Sequence, residues 1–231
     1  MGDYDIGQFI LYMVALIFSL SVHESAHAWM SDRFGDDLAR LQGRISLNPA
    51  MHVDPIGTLL FPAISFFTHA PLLGWARPTP VNPLKWRNKR VANFWVSAAG
   101  VICNFIIAIV VGITIRVLFE TGVIGLGDGG LMPANTESLI AVGAVQLLDT
   151  FFSLNVALGV FNLLPIPPLD GSGILSSILP ESFGSAIDAL NQFGYILLFI
   201  VVMTHVLNPI FKVAMRVAWG LVFLGTSIVS G

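Results

Sequence analysis

Charge is what this chain has least of. Of its 231 residues, 11 are Lys or Arg and 14 are Asp or Glu, 11% in all, against about 25% in an ordinary soluble domain. With 55% hydrophobic residues and a mean hydropathy of +0.81, that scarcity excludes a water-soluble globule. Cysteine is nearly missing as well: Cys103 stands alone in an apolar run, so no internal disulfide can form. The net charge of −3 comes without the basic stripe that nucleic-acid binding requires. There is no internal repeat and no low-complexity tract. The N-terminus lacks a positively charged n-region and a small-residue cleavage site, so the first apolar stretch is expected to be a retained span. The length suits several spans of about 20 residues with short loops, and a single polytopic membrane domain is expected over residues 1–231.

Apolar stretches cover residues 6–22, 91–119, 139–164 and 187–207, each long enough to cross about 30 Å of hydrocarbon as helix. A fifth, 56–67, is short and contains Pro62, which suits a re-entrant element better than a span. A sixth, 210–229, carries Lys212 and Arg216 at helical spacing and reads as either a final span or an interfacial helix. The expected fold is an all-α integral membrane bundle of about 4–6 transmembrane helices with a re-entrant element and a short extended cytoplasmic loop.

Short loops rich in Lys and Arg stay cytoplasmic. Arg33, Arg40 and Arg44 follow the first span, while Arg77, Lys85, Arg87, Lys89 and Arg90 precede the 91–119 span. Both loops are therefore expected on the cytoplasmic side, with residues 56–67 entering and leaving there. The 120–138 loop has Glu120, Asp128 and Glu137 but no Lys or Arg, and it belongs outside with Asp3 and Asp5. Residues 74–83 contain Pro78, Pro80 and Pro83, so they read as extended chain, flanked by Trp75 and Trp86 as interfacial aromatics.

The chemistry begins at His23-Glu24-Ser25-Ala26-His27. Residues four apart share a helix face, so two imidazoles at this spacing can hold one Zn²⁺ and the adjacent Glu can serve as general base. With five histidines and four glutamates in the chain, chance produces the pattern in about 0.2% of shuffled sequences. Ionisable residues in a span are costly and usually functional. Catalytic zinc takes three protein ligands, and candidates for the third are His52, His69, His205, Asp54, Asp149 and Asp170. Asp170 stands out because Pro165, Pro167 and Pro168 break the helix before it. Non-helical backbone near membrane depth belongs in buried or wet surroundings.

His-Glu-x-x-His in a span, followed downstream by Asn162-Leu163-Leu164-Pro165-Ile166-Pro167-Pro168-Leu169-Asp170-Gly171, resembles the site-2 protease family of intramembrane zinc metalloproteases. The resemblance extends to Arg44 through Pro49, His52, Asp54 through Thr58, residues 74–82, and Gly100 with Asn104, so it covers a core of about residues 7–175, with C-terminal helices over 187–229. It is closest to small members that carry no PDZ domain. It implies one Zn²⁺ per chain on His23, His27 and Asp170, with Glu24 as the base. It also implies that Asn162, Asn104 and, by position, His52 stand near the substrate. Val101 departs from the pattern, in which proline often follows the glycine. The implied activity is hydrolysis of a peptide bond in or near a transmembrane segment of a substrate protein, in a prokaryotic cell membrane, with the site toward the cytoplasm. The alternatives are a membrane zinc carrier or sensor, for which Glu24 would be superfluous, a zinc hydrolase acting on a lipid or lipidated peptide, and an inactive relative that escorts membrane proteins, disfavoured because every expected catalytic residue is present.

Overall fold

A computed structural model describes residues 6–68, 74–127, 130–134 and 138–226. Asp3, Asp5, His69, Asp128 and Glu137 lie outside the described residues.

Helix α1 (Ile6–Arg33) outlasts the apolar run that ends at Val22. Its polar residues fall on one inward stripe: Ser19, His23, His27 and Ser31 are four residues apart and all buried. The helix continues because its backbone bonds stay satisfied while the polar face turns from lipid. A short α2 (Leu38–Leu41) follows. Three Asx-Pro pairs then start turns: Asn48 accepts from Ala50 N (3.1 Å), Asp54 from Gly57 N (2.6 Å) and Asn82 from Leu84 N (3.1 Å). Proline fits the first position of each turn because no N–H is needed there.

Asp54 opens a six-residue π-helical stretch, Pro55–Leu60, which leads into the eight-residue α3 (Phe61–Thr68). At about 1.5 Å per residue the two reach roughly 21 Å, short of a bilayer core. The far end touches the start of α1 through Phe66 and Phe67 against Phe9, at 5.0 and 5.3 Å. Trp75 N donates to Gly57 O (3.1 Å), and Thr58 Oγ1 donates to Trp75 O (2.8 Å). The chain thus returns to the place it left, which is the re-entrant geometry. The flanking loops meet at the Arg33 end of α1, where Arg87 N donates to Phe34 O (3.1 Å), Trp86 Nε1 to Ser31 Oγ (2.8 Å) and Asn82 N to buried Asp36 (2.6 Å).

Helix α4 (Lys89–Glu120), capped by Asn88 on Val91 N (3.2 Å), runs antiparallel to α1. A two-stranded antiparallel sheet, β1 (Ile124–Gly127) and β2 (Gly130–Pro133), pairs Ile124 with Pro133 inside the expected outer loop. Helix α5 (Leu139–Asn162) returns through the bundle, and the prolines end it. Next come α6 (Asp170–Ile178), α7 (Gly184–Met203) and α8 (Asn208–Val222). Four helices are long and apolar enough to cross a membrane: α1, α4, α5 and the 181–203 stretch containing α7. Along α8, Phe211 faces Phe161 (6.5 Å), Trp219 faces Phe152 (4.5 Å) and Phe223 just beyond it faces Phe119 (5.1 Å). The described part of the sixth apolar stretch therefore lies along the bundle, antiparallel to α5, rather than across it. Ala108, Ile115, Phe152, Val156 and Val222 form the core between α4, α5 and α8, while Ile109, Val110 and Ile113 face outward, as lipid-contacting residues do.

Candidate metal centre

Two helices deliver one side chain cluster. His23 and His27 project from one face of α1, and Asp170 stands at the first turn of α6. His23 Nε2 and His27 Nε2 are 3.0 Å apart, and Asp170 Oδ2 lies 3.2 and 3.3 Å from them. Among the described residues these three are the group that could hold a metal ion.

Helix α4 fixes the imidazoles from the other side. His27 Nδ1 is 2.6 Å from Val96 O, a group that can only accept, so the proton sits on Nδ1. His23 Nδ1 is 2.6 Å from Asn104 Oδ1 and donates in the same way. Both Nε2 lone pairs are thereby aimed at the carboxylate oxygen, and Asp170 Oδ2 is buried without a hydrogen-bond partner. Three acceptors this close need positive charge between them. Tetrahedral zinc with bonds of about 2.0–2.1 Å places its ligand atoms about 3.3 Å apart, which the three separations fit, and two imidazoles with a carboxylate suit zinc while leaving a fourth position open.

Close approach explains two glycines. A Cβ on Gly100 would stand 2.5 Å from His23 Cε1 and 2.6 Å from His27 Nε2, so α4 can back onto the imidazoles only without one. A Cβ on Gly171 would strike the carbonyls of Leu163 and Leu164, against which the first turn of α6 is seated. Asp170 is itself the first residue of α6. Arg90 grips the other end of α6, donating to the carbonyls of Ser177 (2.6 Å), Ile178 (2.9 Å) and Leu179 (3.1 Å), carbonyls that a helix end leaves unsatisfied.

Asn104 is fully buried. Its Nδ2 donates to Asn155 Oδ1 (2.9 Å), and Asn155 Nδ2 donates to Ser19 Oγ (2.8 Å). Asn104 is thereby tied to His23 and to a polar chain through α1, α4 and α5. Asn155 carried no motif of its own in the sequence. Asn162, at the last turn of α5, donates to Leu158 O (3.0 Å) and is half-buried. His52 stands apart from the cluster: its Nε2 donates to Ser46 O (2.7 Å), and burial with the nearby Arg44 guanidinium holds it below its ordinary pKa, hence neutral. Asp54 serves as a turn cap, and Asp149 lies 3.4 Å from Ser153 on α5. His205 follows α7 with φ 54°, in the left-handed region. Cys103 is a free thiol.

Glu24 turns toward the extended 74–82 segment. Its Oε2 accepts from Thr79 N (2.8 Å), with Thr79 Oγ1 also at 2.8 Å. Nothing in the sequence signals this contact, since Thr79 is merely the residue between Pro78 and Pro80.

The sequence pattern of Peptidase family M50 matches residues 11–204. "Putative zinc metalloprotease YwhC" of Bacillus subtilis (strain 168) is 36% identical over 194 residues, covering 83% of this chain and 80% of the relative. "Putative zinc metalloprotease Rip2" of Mycolicibacterium smegmatis is 28% identical over 203 residues, covering 88% and 70%, and its namesake in Mycobacterium tuberculosis (strain H37Rv) is 27% identical, covering 87% and 70%. No solved structure matches the chain. Zinc is the metal that both the donor set and these relatives imply. The chain belongs to peptidase family M50, the site-2 protease family, and is a multi-pass membrane metalloendopeptidase.

Proposed function

We propose that this protein hydrolyses a peptide bond in or near a transmembrane segment of a substrate protein, with His23, His27 and Asp170 holding one zinc ion per chain and Glu24 acting as general base. The observation that carries the reading is the convergence of three metal-ligating atoms at 3.0–3.3 Å beside a fully buried chain of amides that fixes one of the imidazoles. Zinc held there supplies Lewis acidity, lowering the pKa of a water molecule and polarising the scissile carbonyl. Glu24 takes the proton from the attacking water and returns it to the leaving amine. Asn162, the last residue of α5, takes the role of the amide that meets substrate backbone. The whole chain forms one catalytic membrane domain in a prokaryotic cell membrane.

A helical substrate hides its carbonyls in its own hydrogen bonds and must be unwound first. The 74–82 segment supports a role in this by strand addition. Trp75 and Arg77 give their backbone N–H groups to Gly57 O and His52 O, and the alternation of an extended strand turns the backbone of Ala76 to the opposite edge. The expected result with the purified, zinc-supplied chain is cleavage of a membrane-spanning peptide, faster when a helix-breaking pair flanks the scissile bond. Chelation should stop the reaction and added zinc restore it. Cleavage that survives removal of all metal would refute the reading.

The site end is proposed to face the cytoplasm, following the positive charge of its loops. In a Cys103→Ser background, cysteines at exposed Leu41 and Leu84 should react with an impermeant reagent from the cytoplasmic side, and one at exposed Leu139 from the other. Labelling of positions 41 and 84 from opposite sides would overturn the shared orientation.

A further inference from the structure

We infer that Thr79 is a positioning residue for Glu24, through which the substrate-handling segment sets the geometry of the base; this rests on the reading of Glu24 as base given above. Thr79 is 55 residues from Glu24 in sequence, and it meets Glu24 with two groups at once. Its backbone N–H donates to Oε2 at 2.8 Å, and its hydroxyl stands 2.8 Å from the same oxygen and 2.9 Å from the Glu24 carbonyl oxygen. Such a pair restricts the carboxylate to one rotamer and one oxygen.

The residues before Thr79 hold it still. The buried Arg44 guanidinium donates to Pro78 O (3.0 Å), to Arg77 O and to Met51 O (2.5 Å), so two successive carbonyls just ahead of Thr79 are pinned by one planar fork. No carboxylate pairs with Arg44 among the described residues' ion pairs; its hydrogen bonds go to backbone. On the far side Asn82 N is anchored to Asp36 (2.6 Å). The segment between Arg44 and Asp36 is therefore a rigid mount whose inward-facing donors end on Glu24. Pro78 and Pro80 on either side lack N–H groups, which leaves Thr79 N as the donor that this stretch can offer the carboxylate. A substrate strand that pairs along the same segment would act on the mount directly, so seating of substrate and alignment of the base are mechanically linked.

The test uses the full-length zinc-loaded chain and a membrane-spanning peptide. Thr79→Val keeps the backbone N–H and shape but loses the hydroxyl, and Thr79→Ser keeps the hydroxyl. A hydrogen bond to a charged group is worth a factor of about 10–100. Thr79→Val is therefore expected to lower kcat about tenfold or more with KM changed less than about threefold, and Thr79→Ser to restore kcat to within about threefold of the parent. Zinc content and Tm should be unchanged in both. Thr79→Val with parental kcat, or a loss that Thr79→Ser shares equally, would overturn the inference. Lowered Tm or zinc content in Thr79→Val would assign Thr79 a structural role instead, and overturns it too. Full activity in Glu24→Gln would refute the base itself, an outcome the Thr79 variants cannot produce.

Discussion

Glu24→Gln is expected to keep its zinc and its fold while losing peptide cleavage by a factor of about 10²–10⁴, the usual contribution of a positioned general base. The substitution is close to isosteric. A glutamine carbonyl oxygen can still accept the Thr79 N–H that meets Glu24 Oε2 at 2.8 Å, so the α1 face and the 74–82 segment have no reason to move. What the amide cannot do is accept a proton from water. Cleavage rate, zinc content and thermal unfolding should be measured on one preparation. Activity within about threefold of the parent would mean that another group serves as base.

The second large effect concerns the ion. The parent should contain about one zinc per chain, and His23→Ala and Asp170→Ala should each lose most of it, because a three-ligand site with one ligand gone has no replacement nearby. Cys103 is a free thiol on α4, and His52 is spent on Ser46. Asn104→Ala makes the graded comparison: it removes the acceptor that orients His23 but no donor atom, and loss of such a supporting group typically costs about 10–100-fold in affinity. Competition with a chromogenic chelator resolves the series. Unchanged zinc content in both His23→Ala and Asp170→Ala would remove the assignment altogether.

Much of the architecture is readable from local pattern. A membrane span announces itself by length and apolarity because the bilayer has a fixed thickness. The helix-breaking prolines after Asn162 fix where α5 ends for a reason internal to the backbone. The His23–His27 pair is legible because helical periodicity alone puts both on one face. Other features gave no local sign. The apolar run stops at Val22, yet α1 continues to Arg33. The small sheet at Ile124–Pro133 and the nine-residue α6 rest on packing and pairing rather than on a strong periodic signal.

For the site, the sequence by itself determined the donor types, the spacing of two of them and the chemistry they suit, since these depend on residue identity and helix geometry. It offered six candidates for the third donor, with Asp170 set apart by the prolines before it. Only the tertiary structure brought Asp170 to 3.2 and 3.3 Å from the two imidazoles, because that distance is set by α6 packing on α4 through Arg90 and Asn93 and by Gly171 seating its first turn on the Leu163 and Leu164 carbonyls. It alone joined Asn104 to His23 and brought Thr79 to Glu24. Those contacts join residues 81 and 55 positions apart, and no periodicity within a helix or strand carries information across such a span; it arises when separately formed elements close on one another.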